Sequence, residues 1–220
     1  PSTDFARRPD LAAMAVVLVA AAFMNAFGMV APVYGVERWI AGSLGTESRL
    51  LVLAVLFGFG LVVVPALLVS IAGWIGRYLS GSRRPVIQVA SYYSFALVPL
   101  GFGMWLSHYS FHFLTGALTV LPVVQSLLSD LGLPILGSPQ WGLGPVVPFS
   151  WLMPVELLFL EGGLLVSLVA GYRMAAREEG DSGKTLIAFL PWALLCLALF
   201  AAGVWLMQQP MEMRGTFVGG

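Results

Sequence analysis

Of the 220 residues, 59% are hydrophobic and only 10% charged, against roughly 25% charged in an ordinary soluble domain, so the chain reads as a polytopic membrane protein. The formal net charge is zero, which leaves no bulk electrostatic argument for binding nucleic acid. The single cysteine, Cys196, excludes an internal disulfide and an iron–sulfur cluster held by four thiolates of this chain alone; in an apolar helix it is expected to pack as a small hydrophobe.

The chain opens PSTDFARRPD without methionine, which fits either removal of an initiator or a piece of a longer protein. The first apolar run is long enough to remain as a span, so a cleaved signal peptide is not expected. Five apolar runs, roughly 11–32, 49–73, 87–115, 149–172 and 185–207, each approach or exceed the about 20 residues that cross a hydrocarbon core as helix. The expected fold is therefore all-α, a single transmembrane domain over 1–220 built from five membrane helices.

Basic residues set the expected orientation. Arg7 and Arg8 precede the first run, Arg77, Arg83 and Arg84 separate the second from the third, and Arg173, Arg177 and Lys184 separate the fourth from the fifth. The 116–148 connection has no Lys or Arg, and the 33–48 connection and the tail carry one each, Arg38 and Arg214, with Arg49 at the edge of the former. This alternation predicts a cytoplasmic N-terminus and an external C-terminus. In the outer connections, YGVERWIAGSLGTES (34–48) suits a short interfacial helix. LTVLPVVQSLLSDLGLP (118–134) has helical apolar spacing that Pro134 would stop. Trp141 and Trp151 fit an aromatic belt, and Asn25 in the first run is expected to join two helices through its amide.

Both histidines lie in MWLSHYSFHF, four residues apart, so Met104, His108 and His112 share one helical stripe flanked by Trp105 and Phe111. They stand 23 and 27 residues beyond Pro85, about 35–40 Å along a helix, which predicts a position near the outer surface; Pro99, with Gly101 and Gly103, is expected to kink the span. Two histidines on one turn project the same way and cannot clamp one haem from opposite faces. They suit two ligands of one metal ion. Met104 and the tail residues Met211 and Met213 are the candidate thioether ligands, and imidazole with thioether favours Cu(I). Ligation of a haem shared with a partner chain, contact with a quinone, and plain interface packing are the other readings of the same stripe.

In WLMPVELLFLEGGLLVSLVAGYR, Glu156 and Glu161 lie about 8 and 15 Å below Trp151. Intramembrane carboxyls usually face protein or water. Five residues turn a helix 140° beyond a full revolution, so these two cannot share a metal by themselves. Glu156 is placed to accept a hydrogen bond from a ligating histidine or to relay a proton; Glu161, near the midplane, suits contact with another subunit or proton relay. The alternative for each is a neutral, hydrogen-bonded acid within the bundle. Motifs of P-loop ATPases, serine hydrolases and zinc proteases are missing from the sequence, and no internal repeat suggests a transporter.

The segments SYYSFALVPLGFGMWLSHYSFHFLTG (91–116), PVELLFLEGGLL and PWALLCLALFAAGVWLMQQPMEMRGT resemble the C-terminal membrane region of bacterial membrane polyferredoxins, 4Fe–4S proteins akin to those that assist assembly of cbb3-type oxidases. The resemblance covers roughly 87–216. It implies a bacterial inner-membrane subunit of a respiratory or redox electron-transfer complex, anchoring other membrane subunits and an iron–sulfur protein or domain on the cytoplasmic side. Copper handling for oxidase assembly is the alternative that the resemblance implies; a structural accessory subunit with no chemistry of its own is a further alternative reading of the chain. The C-x-x-C-x-x-C-x-x-x-C-P cluster motif of the family is missing here, so any clusters would belong to an N-terminal part or a partner chain.

Overall fold

Helices make up most of the residues described by the computed structural model, 8–210. Five helical stretches are long and apolar enough to cross a membrane: Pro9–Phe27, Arg49–Ser80, Val86–Asp130, Phe149–Glu179 and Ser182–Met207. The described residues contain no strand.

Proline and glycine set most of the boundaries. Helix α1 (Pro9–Phe27) opens on a proline, whose missing N–H costs nothing at a first turn. The apolar run was expected to continue to residue 32, but the helix stops at Phe27. Pro32 begins a new helix, α2 (Pro32–Leu44), and the backbone N–H of Ala31 donates to the carbonyl of Pro210 at the far end of the chain, 3.2 Å away. Helix α2 ends at Gly45, whose φ of +60° lets Thr46 N–H reach back to the Ala41 carbonyl. Its Val33 and Ile40 pack on Val52 and Leu56, while Trp39 points outward.

The second crossing begins with α3 (Arg49–Gly58), capped by the Ser48 hydroxyl, which accepts from Leu51 N–H. It widens into a π turn over Phe59–Val63 and continues as α4 (Val64–Ser80). Pro65 has no N–H to give to the carbonyl four residues back, and the local widening accommodates that loss. The third crossing is α5 (Val86–Ser94), a 3-10 turn over Phe95–Leu97 and α6 (Val98–Gly116). The irregularity expected around Pro99 is this tightened turn on its N-terminal side. The Leu100 N–H donates to the Ser167 hydroxyl on the fourth crossing at 2.9 Å, with both groups buried. Ser167→Ala should therefore cost about 1–3 kcal/mol by leaving a buried N–H without that acceptor, read as a fall in thermal unfolding temperature with the helical content unchanged.

After a 3-10 turn at Ala117–Thr119, α7 (Val120–Asp130) follows almost without a break. It ends at Asp130 rather than at Pro134. Gly132 (φ +72°) reverses the chain there, and Leu133 N–H bonds the Leu128 carbonyl. The irregular 131–148 segment is pinned at both ends of the Gln125 side chain, whose amide donates to the Leu136 carbonyl and whose oxygen accepts from Gln140 N–H. Helices α8 (Leu152–Glu179) and α9 (Ser182–Met207) close the bundle, the latter capped by Asp181, which accepts from Lys184 N–H.

Lipid gives no hydrophobic drive for helices to associate, so close approach through small residues carries the packing. Helix α6 sits at the centre. A Cβ at Gly103 would lie 2.6 Å from the Phe159 carbonyl oxygen, and one at Gly163 would lie 2.7 Å from that of Pro99, so α6 and α8 cross backbone to backbone. On its other side Gly101 admits Val19 of α1, and Gly203 of α9 admits Leu160 and the sulfur of Met104. Leu100, Met104, Leu160 and Trp192 form the middle of the core, with Tyr93 stacked on Trp192 at 5.3 Å. Outward faces carry Leu158, Leu165, Val166, Leu194 and many other exposed apolar side chains, the pattern of a bundle bathed in hydrocarbon.

Candidate functional site

The histidine stripe lies in the last turns of α6, where that helix is wedged between α1 and α8. His108 is 1% exposed and His112 half-buried. Their rings stand 80° to one another with centroids 4.7 Å apart, and the two Nε2 atoms converge to 3.3 Å. Two metal–nitrogen bonds of about 2.0–2.1 Å drawn from atoms at that separation meet at roughly 104–111°, the angle of a tetrahedral centre. The same contact serves as a hydrogen bond when one ring is protonated at Nε2 and the other is not. His108 Nδ1 is buried and has no hydrogen-bond partner among the described residues.

Aromatic rings wall the pair. Tyr109 meets His108 edge-on at 5.4 Å and His112 at 6.3 Å, and Phe111 meets His112 at 5.5 Å. Tyr109 is held from α1 by the Asn25 amide, which donates to its phenol oxygen at 3.4 Å; Asn25 thus joins α1 to α6, the helix-bridging role expected of it. On the other flank the Ser107 hydroxyl donates to the Glu156 backbone carbonyl at 2.5 Å and fixes the first turns of α8 beside the histidines.

The sequence candidates separate in space. Met104 is fully buried on the stripe, but its sulfur lies beside Gly203 of α9, one turn down in the core. Glu156 is 4% exposed, and its carboxyl makes no hydrogen bond, to either histidine or to any other described residue. Glu161 faces outward with Leu158 and Leu165, beside Gly162, where the space is open. Met211 and Met213 lie outside the described residues. Pro210, which precedes them, stands at the end of the bundle where α1 and α6 also end. Among the described residues no three His, Cys, Asp or Glu side chains gather at one point, so a metal on the histidine pair would need thioether, water or partner ligands. Cys196 is buried in the core with Leu195 and Trp192, as a packing residue.

Sequence reading missed a groove between α1 and α6. It has a volume of about 740 Å³ and runs from Leu11 and Phe95 at one end to Asn25 and Tyr109 at the other. The signal was there in part. Phe102, Trp105 and Tyr109 recur at helical spacing; Phe102 stacks on Trp105 at 5.9 Å and Tyr109 meets Trp105 tilted at 4.8 Å. No protein-family profile, curated protein or solved structure matches the chain.

Proposed function

We propose that this chain is an integral membrane subunit of a bacterial respiratory or redox complex, anchoring partner subunits and holding one metal ion on His108 and His112. The observation that carries the reading is the convergence of the two Nε2 atoms at 3.3 Å, from a fully buried ring and a half-buried one, a separation that two ligands of one ion can have. Imidazole together with thioether selects Cu(I), and Met211 and Met213 are the sequence's candidates for the remaining positions. The resemblance of 87–216 to the membrane region of polyferredoxins supports a redox setting, with any iron–sulfur cluster outside this chain. The distribution of Arg and Lys supports a cytoplasmic N-terminus and, with it, an outer-face position for the histidine end of the bundle. Glu161, a carboxyl on a hydrocarbon-facing surface, supports a protein neighbour at that depth, since leaving it in lipid costs about 3 kcal/mol.

A second reading, a copper-handling factor for oxidase assembly, is favoured by one specific feature. The Met-x-Met tail follows Pro210, which is tied to Ala31 at the histidine end of the bundle. The test common to both is metal analysis of the purified chain after Cu(I) loading. One copper per chain is expected, lost in His108→Leu and in His112→Leu. A folded wild-type chain that takes up no copper overturns the metal reading, and a Soret band abolished by His108→Leu replaces it with haem ligation. The two copper readings divide on retention: a resident ion stays through exchange against a Cu(I) chelator, whereas a handling factor surrenders it.

A further inference from the structure

We infer that the groove between α1 and α6 binds the head and tail of a membrane quinone, a planar ring bearing carbonyls on a long apolar chain. The inference rests on the redox reading above for its context, but on separate residues for its chemistry.

Helices α1 and α6 run in the same direction along the groove. Leu11 to Asn25 on α1, and Phe95 to Tyr109 through the 3-10 turn into α6, each span fourteen residue steps, about 21 Å. Gly101 lets Val19 come close and forms the floor. Almost the whole lining is apolar, and the groove opens sideways to the surrounding hydrocarbon, with Phe102 58% and Trp105 44% exposed. Polar groups occur at one end only. There the Asn25 amide donates to the oxygen of Tyr109, which leaves the phenol proton without an acceptor and the amide oxygen without a donor among the described residues. Both groups are exposed at the mouth of the groove, Tyr109 at 44%, where a ligand carbonyl can reach the phenol. Next to them Trp105 stacks on Phe102 and meets Tyr109 at a 38° tilt, an aromatic wall against which a flat ring can lie. A ring carbonyl would accept from Tyr109, the ring would lie against Trp105, and the tail would run toward Leu11.

The other large cleft, between α1, α4 and α9, makes a useful contrast. It has the same volume of about 740 Å³ and is lined by Ser43 and the indoles of Trp39 and Trp205 among apolar residues, but it has no phenol–amide pair. A quinone rather than a lipid acyl chain is the occupant of the α1–α6 groove because only the quinone uses its polar end and its aromatic wall. Tyr109 also touches both histidines, so a head bound there lies one ring away from the metal pair.

The test is equilibrium binding of decylbenzoquinone to the full chain in nanodiscs of saturated phosphatidylcholine, with decylbenzene as the competitor that shares tail and ring but lacks carbonyls. Saturable binding at one per chain is expected. Tyr109→Phe should raise Kd about fivefold, the equivalent of one neutral hydrogen bond, and Trp105→Leu should raise it as well. Decylbenzene should compete poorly. Repeating the titration on metal-free His112→Leu separates the two readings: quinone binding retained there supports the groove whatever becomes of the metal. The inference is overturned by a wild-type chain of intact helical content that binds no quinone, by a Tyr109→Phe, Asn25→Leu double variant that binds as wild type, or by decylbenzene competing as well as the quinone competes with itself.

Discussion

Gly163→Val is expected to loosen the bundle at its centre, whereas the same change one residue earlier, Gly162→Val, is expected to leave it standing. The contrast comes from what a side chain would meet. At Gly163 a Cβ would lie 2.7 Å from the Pro99 carbonyl oxygen and 3.1 Å from the Cα atoms of Gly103 and Leu100. These are backbone atoms of the facing helix and cannot rotate away, so α6 and α8 must separate before even a methyl fits. Overpacking of a tight contact costs about 1–3 kcal/mol and occasionally more, and a branched residue against backbone belongs at the upper end. Separation would also weaken the nearby Ser167–Leu100 and Ser107–Glu156 bonds, which join the same two helices. At Gly162 nothing lies within 4 Å, and valine is a slightly better helix former than glycine. Thermal unfolding in one detergent checks the pair of variants. A large drop for Gly163→Val with no drop for Gly162→Val supports the crossing, and equal unfolding temperatures contradict it.

Replacing either histidine is expected to lower the affinity for Cu(I) by at least about a hundredfold. Losing a group that merely orients a ligand already costs 10–100-fold, so losing a ligand costs no less. Leucine is the appropriate replacement at His108, which is 1% exposed and would leave a void if cut back to alanine. Both single variants should fall together, because in the proposed site the two Nε2 atoms would share one ion. If the 3.3 Å contact were only a hydrogen bond between rings, either replacement would leave uptake unchanged. Competition against a Cu(I) chelator of known affinity reads the difference directly.

How much of this was legible beforehand depends on what lipid hides. Five apolar runs are readable because a hydrocarbon core demands length and apolarity, and the five long helices follow them. Their inward faces are not readable in the same way, since lipid-facing and protein-facing residues are equally apolar. Gly101 and Gly103 illustrate the gap. Beside Pro99 they read as kink residues, but in the fold they are the points where α1 and α8 close on α6. Glu156 and Glu161 show the same limit from the polar side: helical arithmetic separates their directions by 140° without saying that Glu156 turns inward and Glu161 outward. The histidine pair was legible as a pair because it lies on one helix. The α1–α6 groove was not, because it depends on which two helices become neighbours.

Whether His108 and His112 hold one metal ion between them is decided by X-ray absorption at the copper edge of the Cu(I)-loaded chain. Two imidazole nitrogens at about 2.0 Å are expected, with the outer-ring scattering that marks imidazole and with sulfur completing the shell. That signal should lose its imidazole component in a His108→Leu, His112→Leu double variant. A copper shell without imidazole in the wild-type chain, or one unchanged in the double variant, would contradict it.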